Sequence, residues 1–193
     1  MDLEKEILAK KGLIDSLAGI ATNPRPESQV IFAKMKLLWQ CNLSCIYCDK
    51  PAPTPPMPRR VVKEMLNGLT ILGLKKIHFS GGEVFTHPEI YGILEDACNL
   101  GLQVNLTTNG TLLDKDGISK ISDMGVHCVS LSLDSADHSI HDRLRGVKGA
   151  FKATVKAISR LARRERPKLR INTVLTRENS RTLDALHGLL TGI

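Results

Sequence analysis

Short strand-like segments alternate with helical patterns from about residue 30 onward, and no other feature limits the fold so tightly. Ala33, Met35 and Leu37 alternate with Lys34 and Lys36, predicting a first strand that ends at Trp39. Further strands are expected at Lys76–Ser80, Gln103–Thr107, His127–Leu133 and Leu169–Leu175. Helical patterns follow at Arg59–Leu72, Pro88–Leu100, Lys115–Met124, Ala150–Arg163 and Arg181–Leu190. Gly101 and Gly125 fall just past two of these helices, where a left-handed residue ends a helix. Strict alternation argues a parallel sheet with right-handed crossovers. The expected fold is α/β, a partial (β/α) barrel with five βα units. An open sheet wound on both faces competes with it, although no G-x-G-x-x-G phosphate loop is present.

Ahead of this core, Leu3, Ile7, Leu8 and Ile14 share one helical face, and Asn23-Pro-Arg-Pro26 breaks the chain. The expected organisation is an N-terminal helical extension over 1–29 and a core over 30–193, incomplete at its C-terminus. No run of about 18 apolar residues is present to span a membrane. Met1–Leu17 is charged throughout, unlike a signal peptide, so a cytoplasmic location is expected.

The loop after the first strand reads Cys41-Asn-Leu-Ser-Cys45-Ile-Tyr-Cys48. Three thiolates can hold a [4Fe–4S] cube by three irons and leave the fourth iron open. A structural zinc site normally closes with four protein ligands. A zinc knuckle recruiting a histidine is one alternative, though none lies between Cys48 and His78; a disulfide with a spare thiol is another. Cys98 and Cys128 sit in apolar helix-like and strand-like surroundings and read as inert core thiols.

Ser80-Gly81-Gly82-Glu83 ends the second strand. Its glycines would let backbone approach a ligand, and Glu83 offers a carboxylate to an ammonium group. A plain turn is the alternative. Thr107-Thr-Asn-Gly110 ends the third strand, and Ser132-Leu-Asp134 the fourth, where Asp134 could cap the next helix. His78 has a satisfied core histidine as its plain reading and is given no role.

C-x3-C-x2-C with the aromatic Tyr47 before the last cysteine, followed one βα unit later by G-G-E, resembles the radical S-adenosylmethionine (radical SAM) enzymes. The branch it is similar to builds molybdenum-cofactor precursors and matures peptides. The resemblance implies that Cys41, Cys45 and Cys48 bind a [4Fe–4S] cluster whose open iron takes S-adenosyl-L-methionine. It implies cofactor contacts from Tyr47, Gly81, Gly82, Glu83 and Ser132; Thr107, by its place at a strand's carboxyl end, would offer the cofactor a hydroxyl, with an Asn-Gly turn as the alternative. Asn172 resembles a polar position near the ribose, with a core amide as the alternative. Arg145, in His141-Asp-Arg-Leu-Arg-Gly146, would pair with a carboxylate of cofactor or substrate; a surface ion pair with Asp142 is the alternative. The implied chemistry is reductive cleavage of S-adenosylmethionine to a 5′-deoxyadenosyl radical. Implied partners are an electron donor of flavodoxin or ferredoxin type and a small-molecule or peptide substrate. Family barrels carry six βα units, so the expectation is either a fragment of a longer product or an open barrel edge covered by another chain or segment. A truncated, non-catalytic iron–sulfur or partner-binding module is the alternative function.

The net charge of +7 invites a nucleic-acid reading, and with the thiols a zinc-dependent binder. Much of the excess, however, lies at Arg160, Arg163, Arg164, Arg166, Lys168 and Arg170, across a helix end and the next strand. No aromatic residues interleave for base stacking, so nucleic acid is not the expected partner.

Overall fold

A computed structural model describes residues 30–49 and 51–193. The helix expected over Met1–Leu17, and the 1–29 extension with it, lie outside the described residues. Five strands form one parallel sheet in chain order: β1 (Phe32–Lys36), β2 (Lys76–Ser80), β3 (Gln103–Thr108), β4 (Cys128–Ser132) and β5 (Lys168–Asn172). Between and after them run α1 (Arg59–Ile71), α2 (Ile90–Asn99), α3 (Lys115–Asp123), α4 (His138–Arg145), α5 (Ala150–Ala162) and α6 (Leu183–Thr191). β1 and β5 are the two edges of the sheet, so the barrel is partial.

One sheet face makes the core. Met35, Ile77, Phe79, Val104, Leu106, Val129 and Leu131 point outward under the helices. They meet Val62 and Leu66 of α1, Ile93 and Leu94 of α2, Ile118 and Ile121 of α3, and Ile158 and Leu161 of α5. Each such side chain contributes about 1.5–3 kcal/mol by leaving water. The opposite face carries the polar partners of the same alternation and is the wall on which a site can be built.

Two elements depart from expectation. β5 stops at Asn172, three residues before the expected end, where side-chain bonds replace the ladder: Thr173 Oγ1 donates to the Leu133 carbonyl, and Val174 N to Asp134 Oδ1. α4 was not expected as a helix. Asp137 caps it by accepting from Ser139 N and Ile140 N, and Gly146 ends it at φ 71°. The helix-capping aspartate is therefore Asp137, and Asp134 is left for another task.

Candidate active site

At the carboxyl ends of β1–β4 lies a cavity of about 360 Å³. Cys41, Cys45, Cys48, Tyr47, Gly81, Gly82, Thr107, Ser132 and Arg145 all line it, together with Lys36, Trp39 and Asn109. Parallel βα units put loop chemistry at this end of the sheet. Cys41 and Cys45 are half-buried and Cys48 is exposed; Cys98 and Cys128 do not line the cavity. Among the described residues, no three Cys, His or carboxylate groups converge on a point that would hold a single metal ion.

The cysteine loop is held from three sides. From β2, Gly82 N donates to the Leu38 carbonyl and Glu83 N to that of Gln40, both at 2.8 Å. From β3, Asn109 Nδ2 donates to Asn42 Oδ1 at 2.9 Å and reaches Cys41 Sγ at 4.0 Å. From the end of α4, the Arg145 carbonyl accepts from Ser44 N and the Leu144 carbonyl from Ile46 N. The double glycine has its reason here. A Cβ on Gly81 would run into the Leu38 carbonyl oxygen and one on Gly82 into that of Gln40. The tight approach that these glycines permit is to the protein's own cysteine loop, although both also line the cavity.

Glu83 is engaged by its own chain. It is fully buried and absent from the cavity wall. Its Oε1 accepts from Thr108 Oγ1 at 2.6 Å and Phe85 N at 3.0 Å, and its Oε2 from Asn109 N at 2.7 Å. Burial pushes this carboxyl above its ordinary pKa, and the three donors pull against that shift. The carboxylate thus clamps the end of β3 to the end of β2.

Arg145 is likewise engaged from within. Its guanidinium donates to Asp134 Oδ1 at 2.9 Å, in a pair exposed by only 8% and 0%, and Nη1 stands 3.9 Å from Cys45 Sγ. Asp142, the alternative partner, instead accepts from Gly149 N and Phe151 N. Tyr47 completes the group. Its hydroxyl donates to Asp134 Oδ2 at 2.6 Å, and its ring lies 5.6 Å from the guanidinium carbon. Burial, then the bond to Asp134, raises the Tyr47 pKa, so the phenol stays a donor at any ordinary pH. A buried cation is thereby fixed beside one thiol by a carboxylate and a phenol that spread across two loops.

His141 fixes Asp134 from behind. Asp134 N donates to His141 Nδ1 at 3.1 Å, which requires the neutral ring. Burial, then the Arg145 charge, lowers the imidazole pKa to about 4. Unfolded, the ring takes its proton near pH 6.5. The stability carried by the neutral ring is therefore complete above pH 6.5 and lost as pH falls toward 4, up to about 3 kcal/mol. Denaturant titrations across that window should show the loss, and in His141→Asn, which keeps an acceptor without a titrating proton, the slope should flatten.

Asn172 does not line the cavity. It is exposed on edge strand β5, in register with Ser132 and bonded to the next strand end by its carbonyl, which accepts from Leu133 N. Sequence reasoning missed Asp134, Thr108 and Asn109 as site residues. Only the strand-end position of T-T-N-G and S-L-D could have marked them.

The fold and site define a class, a parallel α/β partial barrel with a thiol-lined cavity at its strand ends. The model of the Radical SAM superfamily matches residues 40–190, and the chain belongs to that family. AdoMet-dependent heme synthase of Methanosarcina barkeri is 33% identical over 143 residues, 72% of this chain and 41% of the relative. PqqA peptide cyclase of Bradyrhizobium diazoefficiens is 26% identical over 149 residues, 75% and 39% respectively. In fold, the chain is similar to Streptococcus suis SuiB bound to S-adenosylmethionine, with a TM-score of 0.71 at 19% identity over 98% of this chain and 42% of that one. The chain thus spans about two-fifths of the length of the curated relatives it matches. Among the described residues, no helix is long and apolar enough to cross a membrane.

Proposed function

We propose that the chain is the core of a radical SAM enzyme, in which Cys41, Cys45 and Cys48 hold a [4Fe–4S] cluster and the cavity beside them takes S-adenosyl-L-methionine. The observation that carries this reading is that the three thiols share one cavity wall with Gly81, Gly82, Thr107 and Ser132. The donor set fits the group. Three thiolates from one loop on one cavity wall supply three of a cube's four ligands and leave one iron open. Ser80 also lines the cavity, and its buried Oγ has no hydrogen-bond partner among the described residues.

When bound, the cluster supplies the electron that cleaves S-adenosylmethionine to methionine and a 5′-deoxyadenosyl radical. The protein's part is to place and shield. Thr107 and Ser132 offer hydroxyls to the polar end of the cofactor, and Gly81 and Gly82 offer backbone without side-chain bulk. Arg145 keeps positive charge beside Cys45, while Tyr47 and Leu43 close that side against water. An electron donor of flavodoxin or ferredoxin type and a small-molecule or peptide substrate complete the reaction.

Anaerobic reconstitution with iron and sulfide should give about four irons per chain. Cys41→Ala, Cys45→Ala and Cys48→Ala should each abolish it. Cys98→Ala and Cys128→Ala should keep the iron and cost about 1 kcal/mol of stability each. Reduced protein given S-adenosylmethionine should release 5′-deoxyadenosine. Iron without that product points to a non-catalytic module; no iron sinks both.

A further inference from the structure

The sheet face turned away from the helices carries cations on three of its strands, while none of the five strands contains an Asp or Glu. The register sets Lys34 beside His78, and His78 beside Asn105; the next row holds Lys36 beside Ser80, and Ser130 beside Arg170. Partners in register point to the same face. Contacts agree: His78 Nε2 lies 2.8 Å from Thr107 Oγ1, and Lys36, Ser80, Thr107 and Ser132 line the thiol cavity. His78 has its pKa lowered by burial and then by the charges of Lys34 and Arg170. In a flat sheet β2 and β5 would stand about 14 Å apart, so curl and long side chains bring these cations over one concavity.

Among the described residues these cations have no acidic partner: Arg59, Arg60, Lys63, Arg143 and Arg145 each form an ion pair there, Lys34, Lys36 and Arg170 form none, and Lys36 instead rests 4.5 Å from the centre of the Trp39 ring. Gathering like charges on one concave surface costs self-repulsion that an anionic ligand removes. The guanidinium of Arg170 suits a carboxylate in bidentate fashion, and the lysines act as point charges.

We propose that this concave face takes a small-molecule substrate bearing at least two carboxylates, with Lys34 and Arg170 inside the concavity and Lys36 at the edge of the thiol cavity. It deepens the radical SAM reading and rests on it only in calling the ligand a substrate.

The test titrates benzene-1,2,4,5-tetracarboxylate into the iron-loaded and the iron-free chain by calorimetry, with tripolyphosphate and an oligoglutamate peptide in parallel. Saturable binding is expected, tighter for the tetracarboxylate than for either comparator and weakened as salt rises from 50 to 200 mM. Lys36→Gln/Arg170→Gln should weaken it at least tenfold. Lys152→Gln/Arg163→Gln, which removes the same charge from helical surface, should leave it unchanged. Lys34→Gln, expected to weaken binding several-fold, stands in if the double variant does not fold. Absence of binding, equal losses in both double variants, or tighter binding of phosphate or peptide would each overturn the proposal. Failure of wild type to take up iron would sink the radical SAM reading instead, and the titration of the iron-free chain would still decide this one.

Discussion

Arg145→Leu is expected to be among the most damaging single substitutions in the chain. It leaves the Asp134 carboxylate fully buried with a phenol and the backbone amide of Val174 as donors but no cation. Removing one member of a buried pair costs about 3–5 kcal/mol. For a chain of this length that is a fall of roughly 10 °C in melting temperature. Arg145→Lys should rescue little, because an ammonium cannot reach both Asp134 and the Cys45 sulfur as the guanidinium fork does. Arg145→Leu combined with Asp134→Leu should melt higher than Arg145→Leu alone, since no unpaired charge then stays inside. Melting curves and iron analysis of the four proteins check this. If Arg145→Leu melts like wild type, the buried network is not a structural support of the cysteine loop.

Glu83→Ala ranks beside it. Three donors, Thr108 Oγ1, Asn109 N and Phe85 N, would lose their acceptor in a site closed to solvent. At about 1–3 kcal/mol for each unsatisfied group, partly offset by rearrangement, the expected loss is about 3–5 kcal/mol. Because Asn109 also reaches Cys41, S-adenosylmethionine binding and iron retention should fall along with stability. Glu83→Gln, which keeps the shape and one acceptor oxygen, should cost less. A variant that melts like wild type yet binds the cofactor weakly would show that the carboxylate faces the ligand after all.

These two residues also mark where reading the sequence stops. The βα alternation was legible because helices cover one sheet face, so each strand carries an apolar row at every second position, as in Gln103–Thr108. The thiol spacing and the double glycine were legible because both are local. What Glu83 does depends on β3 lying next to β2, which brings Thr108 and Asn109 to it from 25 and 26 residues away. Spacing alone cannot say whether a carboxylate at a strand end turns to a ligand or to a neighbouring strand. A helix cap is one open reading of Asp134 from the sequence, capping being the common local fate of such a residue, but its partners lie on α4 and in the cysteine loop. α4 escaped notice because His138–Arg145 offers only Ile140 and Leu144 as apolar residues, too few to set a period. Its punctuation, Asp137 and Gly146, was nevertheless in view.

The clasp between Ser44–Ile46 and the end of α4 joins segments 100 residues apart. During synthesis at about 5–20 residues per second, the thiols emerge several seconds before the segment that fixes their spacing. Closing so long a loop is entropically slow, and most of the sheet must be assembled before it is rewarded. A cluster held by these thiols, as proposed, would therefore be captured late in the life of the nascent chain, once β4 and α4 are in place.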